Sequence, residues 1–435
     1  MYYPVLSQRK LRGLPSGCTE MIKTKPFSIS RAIVHQAYLR VKEKRGSGGV
    51  DGQSLEGFEK ESRKHLYRLW NRMSSGSYMP SPVLFVEIPK KGGGKRPLGI
   101  PTVTDRIAQM VVTKFLEPAL EKVFHADSYG YRSRKSAIEA VGKARTRCWR
   151  YDWVLDLDIK GFFDNIPHDL LMKAVRKHTG CKWVLLYIER WLKTPLQHTD
   201  GSLTERTKGT PQGAVVSPLL ANLFLHYCMD EWLRINYPDC PFERYADDSV
   251  VHCRSETEAL ELKAALAERL KACGLEMHPG KTKIVYCKEG NRKSQYPNTQ
   301  FDFLGFTFRG RKAKNRQGEY FTSFLPAISN KAKKSVRDKM RTWKLHRKGG
   351  SDLSALAKFI NPVLRGWINY YGHFYKTELH HVLEHLNQLL VKWATRKYKR
   401  LRNRKVRAIK WLGEIAKRSP KLFAHWQLGI RPAIG

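Results

Sequence analysis

The sequence has no long apolar run, no low-complexity tract and no internal repeat. Its longest mostly apolar stretch, residues 214–227, contains Pro218, Asn222 and His226 and is shorter than the roughly 18 apolar residues that a membrane helix requires. The start of the chain, MYYPVLSQRK, also lacks the apolar segment of a secretory signal. We therefore expect a cytoplasmic protein without a membrane partner.

Closely spaced cysteines are absent as well. The eight cysteines stand as scattered singles, and no two of them have the C-x-x-C spacing of a zinc ribbon. The pattern predicts buried thiols in a reducing compartment. It also leads us to expect a chain without a zinc-stabilised endonuclease domain.

Acidic residues are scarce. The 39 Asp and Glu stand against 80 Lys and Arg, which gives a formal net charge of +41. So large an excess of positive charge goes beyond what solubility requires. It predicts that the protein binds a polyanion, and nucleic acid is the first candidate. At 435 residues the chain is long enough to bury an ordinary core. Its length predicts about two to four domains.

Two segments place aspartates where one sheet could bring them together. Residues 153–159 (WVLDLDI) alternate apolar and acidic side chains, which predicts a strand with Asp158 near its end. Residues 242–253 (FERYADDSVVHC) predict a β-hairpin with Asp247 and Asp248 at its tip. Three such carboxylates could hold two hard divalent ions for phosphoryl transfer. An isolated Asp-Asp pair is also common in solvated turns, so this assignment depends on other motifs.

Such motifs are present, and their order resembles that of reverse transcriptases. The similar segments are the first catalytic motif at 158–164 (DIKGFFD), the template and nucleotide contact at 210–213 (TPQG), the Y-x-D-D box at 245–248 (YADD), the lysine-bearing motif at 274–283 and the primer-grip segment at 303–306 (FLGF). Five motifs in this order make a chance resemblance very improbable.

Further segments narrow the resemblance to group II intron-encoded reverse transcriptases with a maturase region. They are the amino-terminal extension motif within 37–52, the fingers motif within 88–106, the second motif at 128–132 (SYGYR) and the thumb/maturase signature at 365–371 (RGWINYY). Ala214 and Ser133 depart from the family pattern, which commonly has glycine and proline there. A methyl group at 214 would stand where the backbone approaches template or nucleotide, and it could tune fidelity or processivity.

The resemblance implies an α+β fold of the right-hand polymerase type. It implies a tail at 1–26, an amino-terminal extension and fingers at 27–140, a palm with the catalytic aspartates at 141–310, and a thumb/maturase region with basic helices at 311–435. The implied activity is RNA-directed DNA synthesis on intron RNA by two-metal nucleotidyl transfer, together with help in splicing and mobility of the parent intron. Two Mg²⁺ ions would serve as cofactors, with Mn²⁺ a possible substitute. The implied partners are group II intron RNA, a DNA target and primer, and dNTPs, in a bacterial cytoplasm and at the nucleoid when the protein acts on DNA.

The same resemblance assigns roles to individual residues. Asp158, Asp247 and Asp248 would be catalytic metal ligands, with Ile159 beside them in the metal site. The residues implied to contact the incoming nucleotide are Lys95, Arg96, Phe163, Gln212 and Lys281. Among them, Phe163 would be a steric gate against ribonucleotides. We place Asp156 at the rim of the site and Asp164 in the turn before the helix near Pro167, both outside the metal set.

The carboxy-terminal part is helical, basic and aromatic. Between residues 392 and 410, ten of nineteen side chains are basic and none is acidic, whereas a solvated helix face normally carries both signs. This bias predicts contact with phosphates. The predicted RNA-binding residues are Lys333, Lys334, Arg337, Arg396, Lys397, Lys399 and Arg400. The aromatic residues within 367–375 are expected to pack in a helical core instead.

Two other functions stay open at this point. One is an RNA-binding maturase that never polymerises, and the intact Asp158, Asp247 and Asp248 argue against it. The other is a free-standing reverse transcriptase of the defence type, and the signature at 365–371 argues against that. Residues 381–385 also fit the H-x-x-E-H zinc-protease pattern, but no other feature of the sequence supports a protease.

Overall fold

The computed structural model describes residues 25–89, 94–292 and 294–433. The predicted tail at 1–26 therefore lies outside the described residues except for its last two, and so does Cys18. The described chain mixes helices and strands throughout, which confirms the α+β class. Within these ranges no helix is long and apolar enough to cross a membrane.

The amino-terminal region packs helices around one long buried helix. Its elements are α1 (Arg31–Lys44), α2 (Leu55–Lys60), α3 (Ser62–Ser75), β1 (Val83–Pro89), β2 (Lys95–Ile100) and α4 (Val103–Leu120). Helix α4 begins after Thr102, whose Oγ1 accepts a hydrogen bond from Asp105 N. It buries most of its apolar side chains against α1, α3 and the central region.

The central region contains the sheet that bears the acidic motifs. Its elements are α5 (Ala137–Cys148), β3 (Trp153–Leu157), α6 (Phe162–Asn165), α7 (His168–His178), α8 (Lys182–Lys193), β4 (Leu196–Gln197), β5 (Leu203–Thr204), α9 (Ser217–Leu225), α10 (Glu231–Asn236), β6 (Phe242–Tyr245), β7 (Asp248–Cys253), α11 (Glu256–Ala272) and β8 (Lys283–Tyr286). A π-helical turn, His226–Asp230, joins α9 to α10.

Strands of the central sheet lie in the order β6-β7-β3-β8, all antiparallel. Leu157 at the end of β3 pairs with Ser249 in β7, and Tyr245 pairs with Asp248 across the hairpin. This register places Asp158, the next residue, beside the two-residue tip Ala246-Asp247. The predicted strand and the predicted hairpin are both confirmed.

A second sheet, in the order β2-β1-β4-β5, contacts the loop that contains the TPQG segment. Gly99 N in β2 donates a 2.8 Å hydrogen bond to Gln212 O. A Cβ on Gly99 would lie 2.9 Å from Pro211 Cβ, and one on Gly213 would lie 2.6 Å from Gly99 O. Strand β2 and the TPQG loop can therefore approach this closely only because Gly99 and Gly213 lack a side chain.

The carboxy-terminal region begins with a third sheet and continues as helices. Its elements are β9 (Gln300–Phe303), β10 (Phe306–Lys314), β11 (Tyr320–Ile328), α12 (Asn330–Thr342), α13 (Leu353–Tyr371), α14 (Thr377–Lys397) and α15 (Lys405–Arg418). The rings of Tyr370, Tyr371 and Phe374 lie 5.3–5.6 Å from that of Phe306. These contacts confirm the predicted core role of these aromatic residues.

The predicted domain boundaries fall within regular elements. The boundary between 140 and 141 lies inside α5, and that between 310 and 311 lies inside β10. The seven described cysteines are free, and all but Cys181 are buried, which confirms the prediction of buried thiols.

One ion pair is fully enclosed beneath the catalytic-motif hairpin. Arg244 Nε and Nη2 donate to the two carboxylate oxygens of Asp230 at 2.7 and 2.6 Å, and neither side chain is exposed. Two parallel charge-assisted hydrogen bonds are the geometry that best offsets the loss of water around both charges. The pair ties β6 to the π-helical turn.

We predict that Asp230→Ala lowers the free energy of unfolding by about 3–5 kcal/mol, because it leaves a buried guanidinium without its counter-charge. Urea denaturation followed by circular dichroism measures the loss. Glu189→Ala is the control, since its ion pair with Arg176 is exposed (53% and 43%) and should contribute less than about 1 kcal/mol. Equal losses in the two variants would contradict the prediction.

Candidate active site

Asp158 is fixed at the end of β3 by contacts with the segment before β8. Its backbone oxygen accepts from His278 N at 2.8 Å, and its backbone N–H donates to Thr282 Oγ1 at 3.3 Å. The ammonium group of Lys281 lies 3.2 Å from both carboxylate oxygens. Asp158, a predicted metal ligand, and Lys281, a predicted nucleotide contact, therefore form an ion pair.

Asp247 and Asp248 lie at the tip of the β6–β7 hairpin, close to Asp158. Burial raises the pKa of Asp247, and the negative charge of Asp158 adds to the rise. The carboxylate of Asp248 lines the cleft, but the loss of water around it raises its pKa to about 6. The negative charges of Asp247 and Asp158 add to this rise. Burial and the neighbouring negative charges disfavour the charged forms of Asp247 and Asp248, which bound cations would stabilise.

The three aspartates are not the most closely spaced set of potential metal ligands in the described residues. Within the described ranges, the one set of three potential ligand residues with all ligand atoms within 4.8 Å is Cys240, Cys253 and Glu258. That set lies at the base of the hairpin, and its Glu258 already accepts from Arg254 N. The aspartates are spaced more widely, and the Lys281 ammonium supplies the positive charge beside Asp158. Their all-oxygen donor set suits hard divalent ions.

Asp158 and Asp248 line a cleft of about 330 Å³ whose lining is mostly charged. The charged residues that line it are Asp156, Asp158, Asp248, Lys281, Lys283 and Asp302. Burial raises the pKa of Asp156 to about 7, Lys283 opposes the rise, and Asp248 and Asp302 add to it. Asp156 thus lies in the cleft itself, beside the predicted metal ligands.

Arg96 and Gln212 form a hydrogen-bonded pair, and Arg96 lies near Asp247. Arg96 Nε donates to Gln212 Oε1 at 2.9 Å, and Gln212 Nε2 lies 3.2 Å from Asp164 Oδ2. The positive charge of Arg96 opposes the burial-driven rise in the pKa of Asp247, so the two are close enough to interact. Lys95 instead pairs with Glu87 on the neighbouring strand at 2.6 Å and is 67% exposed.

The remaining predicted site residues are placed as follows. Phe162 and Phe163 are both buried, with ring centroids 5.2 Å apart, and Phe163 O accepts from Thr210 N at 2.7 Å. The side chain of Ile159 is also buried, so only its backbone is available to a metal site.

Sequence reasoning missed the residues that support the turn at 246–247, called the catalytic turn below because it bears the predicted catalytic aspartates. Ala246, at the tip, has a left-handed backbone with φ +59°. Arg244 Nη1 donates to Ala246 O at 3.1 Å and to Asn222 Oδ1 at 3.0 Å, while Asn222 Nδ2 donates to Gly130 O at 2.7 Å. A Cβ on Gly130 would lie 2.4 Å from Ala246 N. The available signal was an arginine inside an otherwise β-rich strand, directly before Tyr245.

The predicted RNA-binding residues differ in how available they are. Arg396, Lys399, Arg400 and Lys334 are exposed, and Arg337 is partly buried. Lys333 pairs with Glu378 and is 17% exposed. Lys397 Nζ donates to Ser351 O at 2.6 Å. Two of the seven residues therefore have partners within the chain.

Comparison with known families gives two matches. Residues 88–308 match the model of the reverse transcriptases (RNA-dependent DNA polymerases), and residues 333–411 match the maturase-specific domain of group II introns. The first match spans just over half of the chain.

Individual relatives agree with these matches. Protein YkfC of Escherichia coli (strain K12) is 32% identical over 313 residues, which cover 62% of this chain and 77% of that protein. The group II intron-encoded protein LtrA of Lactococcus lactis is 34% identical over 197 residues, which cover 45% of this chain and only 32% of that protein. A solved structure of Candida albicans telomerase in complex with a fragment of telomeric RNA is also similar. The match covers 87% of this chain and 68% of the telomerase chain. Its TM-score of 0.44 and 12% identity are too low to support an inference.

The family matches confirm the resemblance given by the motifs. With a reverse transcriptase match at 88–308 and a maturase match at 333–411, this chain belongs to the group II intron-encoded reverse transcriptases, RNA-directed DNA polymerases with the right-hand fold of fingers, palm and thumb.

Proposed function

We propose that this reverse transcriptase copies intron RNA into DNA at Asp158, Asp247 and Asp248, and that it assists splicing and mobility of its parent group II intron. The observation that carries the proposal is the strand register, which brings these three aspartates together from the end of β3 and from the β6–β7 turn. Intron RNA, a DNA target and primer, and dNTPs are its proposed partners. It would act in a bacterial cytoplasm and at the nucleoid when it acts on DNA.

Enzymes of this family depend on divalent metal ions, and two Mg²⁺ ions, replaceable by Mn²⁺, are the proposed pair here. Asp158, Asp247 and Asp248 would hold them, with the backbone of Ile159 adjacent. When bound, such ions favour the attacking and leaving oxygens of an in-line displacement.

The chain's own residues would bind and orient the substrate around that site. Arg96 presents a fork of donors for the triphosphate. Gln212 is held by Gly99 N through its backbone and by Asp164 through its side chain, so it can present a fixed edge to the nascent base pair. Lys281 would leave its contact with Asp158 and bind the pyrophosphate, to which it can donate a proton.

The first prediction concerns the metal ligands. Asp247→Ala and Asp158→Ala should each abolish primer extension on an RNA template with Mg²⁺, because each removes an oxygen ligand. RNA affinity should stay the same or rise slightly, since a negative charge is removed. Asp239→Ala, an exposed aspartate before β6, is the control and should extend normally. Near-wild-type incorporation by either site variant would overturn the assignment.

The second prediction concerns the choice of sugar. Phe163→Val should admit ribonucleotides about 10- to 200-fold more readily, because the bulky ring excludes a 2′-hydroxyl by collision. The ratio of kcat/KM for dNTP and rNTP in wild type and variant measures the effect. Phe162→Val is the matched control. If only Phe162→Val relaxes the ratio, the gate lies one residue earlier, and if neither does, another part of the pocket selects the sugar.

The third prediction concerns the basic carboxy-terminal helices. Replacing Arg396, Lys397, Lys399 and Arg400 with glutamine should weaken intron RNA binding and flatten its dependence on salt. The slope should change by about 0.7–0.9 log unit for each phosphate that the variant no longer neutralises. A triple variant that spares Lys397 should retain most of the effect, because Lys397 Nζ already donates to Ser351 O. An unchanged slope would mean that these side chains are only solvated.

A further inference from the structure

Tyr131 has a backbone conformation that large side chains rarely adopt. Its φ is +57°, in the left-handed region, and its side chain is 55% exposed. For a bulky residue this conformation is strained, and glycine adopts it far more readily. Strain of this kind persists only where the surroundings enforce it, and it concentrates at functional sites.

Both neighbours of Tyr131 are held firmly. Arg132 Nη1 donates to the backbone oxygens of His125 and Ser128 at 2.6 and 2.7 Å, and its guanidinium also binds the carboxylate of Glu121. On the other side, Gly130 O accepts from Asn222, and the Gly130 backbone lies so close to Ala246 that a Cβ would reach 2.4 Å from Ala246 N. The loop at 128–132 is therefore fixed against the catalytic turn, and Tyr131 stands between its two firmly held neighbours.

The ring of Tyr131 lies among the groups that would bind the nucleotide. Its centroid is 6.4 Å from that of Tyr245, the residue that precedes the turn. Partial burial raises the pKa of its phenol, the charge of Asp247 adds to the rise, and the charge of Arg96 opposes it. The side chain is therefore close enough to Asp247 and to Arg96 for their charges to act on it.

We propose that Tyr131 packs its ring against the incoming deoxynucleoside triphosphate and that the loop at 128–132 exists to hold it there. This inference rests on the polymerase activity proposed above. A triphosphate that extends from the metal ligands to Arg96 brings its nucleoside next to this ring. A flat aromatic face binds a nucleoside regardless of its base, as template-directed synthesis requires.

The decisive variant is Tyr131→Gly. Glycine relieves the left-handed strain, so a purely structural role predicts unchanged stability or better, with unchanged kinetics. Nucleotide contact predicts that stability is kept while KM for dNTP rises about tenfold or more and kcat changes less, in line with the removal of one stacking partner. Tyr131→Phe, which keeps the ring, should stay near wild type.

Arg134→Gly is the matched control. Arg134 has φ +64°, is exposed, and lines a different groove with Glu139 and Lys143. The same relief of backbone strain there should leave KM for dNTP unchanged.

A binding measurement separates this inference from the proposed function. The affinity of dNTP for the complex of enzyme, RNA template and a primer ended by a dideoxynucleotide requires no catalysis. If wild type fails to extend a normal primer, the proposed polymerase function fails, while dNTP binding still tests Tyr131. Wild-type dNTP affinity in Tyr131→Gly would overturn the inference. So would a loss confined to primer–template affinity, because the ring would then contact the primer.

Discussion

The catalytic turn depends on one buried ion pair. Ala246 is a non-glycine residue in a left-handed conformation, and Asp247 and Asp248 project from that turn, so their positions depend on what holds Ala246 O. Arg244 holds it, and Arg244 can stay charged inside the protein because Asp230 accepts both of its parallel hydrogen bonds. Since Asp230 ends a π-helical turn, the geometry of that turn is transmitted to Asp247 and Asp248, the proposed metal ligands, through a single guanidinium.

The protein is strongly basic overall, but its candidate active site is acidic. The protein as a whole carries +41, and such a field draws nucleic acid to its surface from a distance. Within it, the cleft of Asp156, Asp158 and Asp248 is a small acidic region that would repel phosphates unless cations are bound. In the function proposed above, a polyanionic template would be held around the site, and the site itself would accept phosphates only together with metal ions.

Local sequence patterns predict where most residues of the candidate site lie. They do not predict the contacts that these residues make with residues distant in the sequence. Strict alternation located Asp158 at a strand end, and two β-rich runs located Asp247 at a hairpin tip. The pairing of Arg244 with Asp230 could not be predicted, because it depends on how a π-helical turn packs beneath the sheet. Lys95 and Arg96 point to opposite faces of β2, so one pairs with Glu87 and the other with Gln212. Tertiary contacts likewise occupy Lys333 and Lys397, which pattern alone assigned to RNA.

The approach of Gly99 to Gly213 has a mechanical consequence. With no side chain between them, and with Gly99 N bonded to Gln212 O, the strand that bears Arg96 and the loop that bears Gln212 form one rigid unit. Any displacement of that strand moves both side chains together. With the roles proposed above, Gln212 at the new base pair and Arg96 at the triphosphate would not engage separately, and a mispaired nucleotide that displaced Gln212 would also weaken the contact of Arg96 with its phosphates.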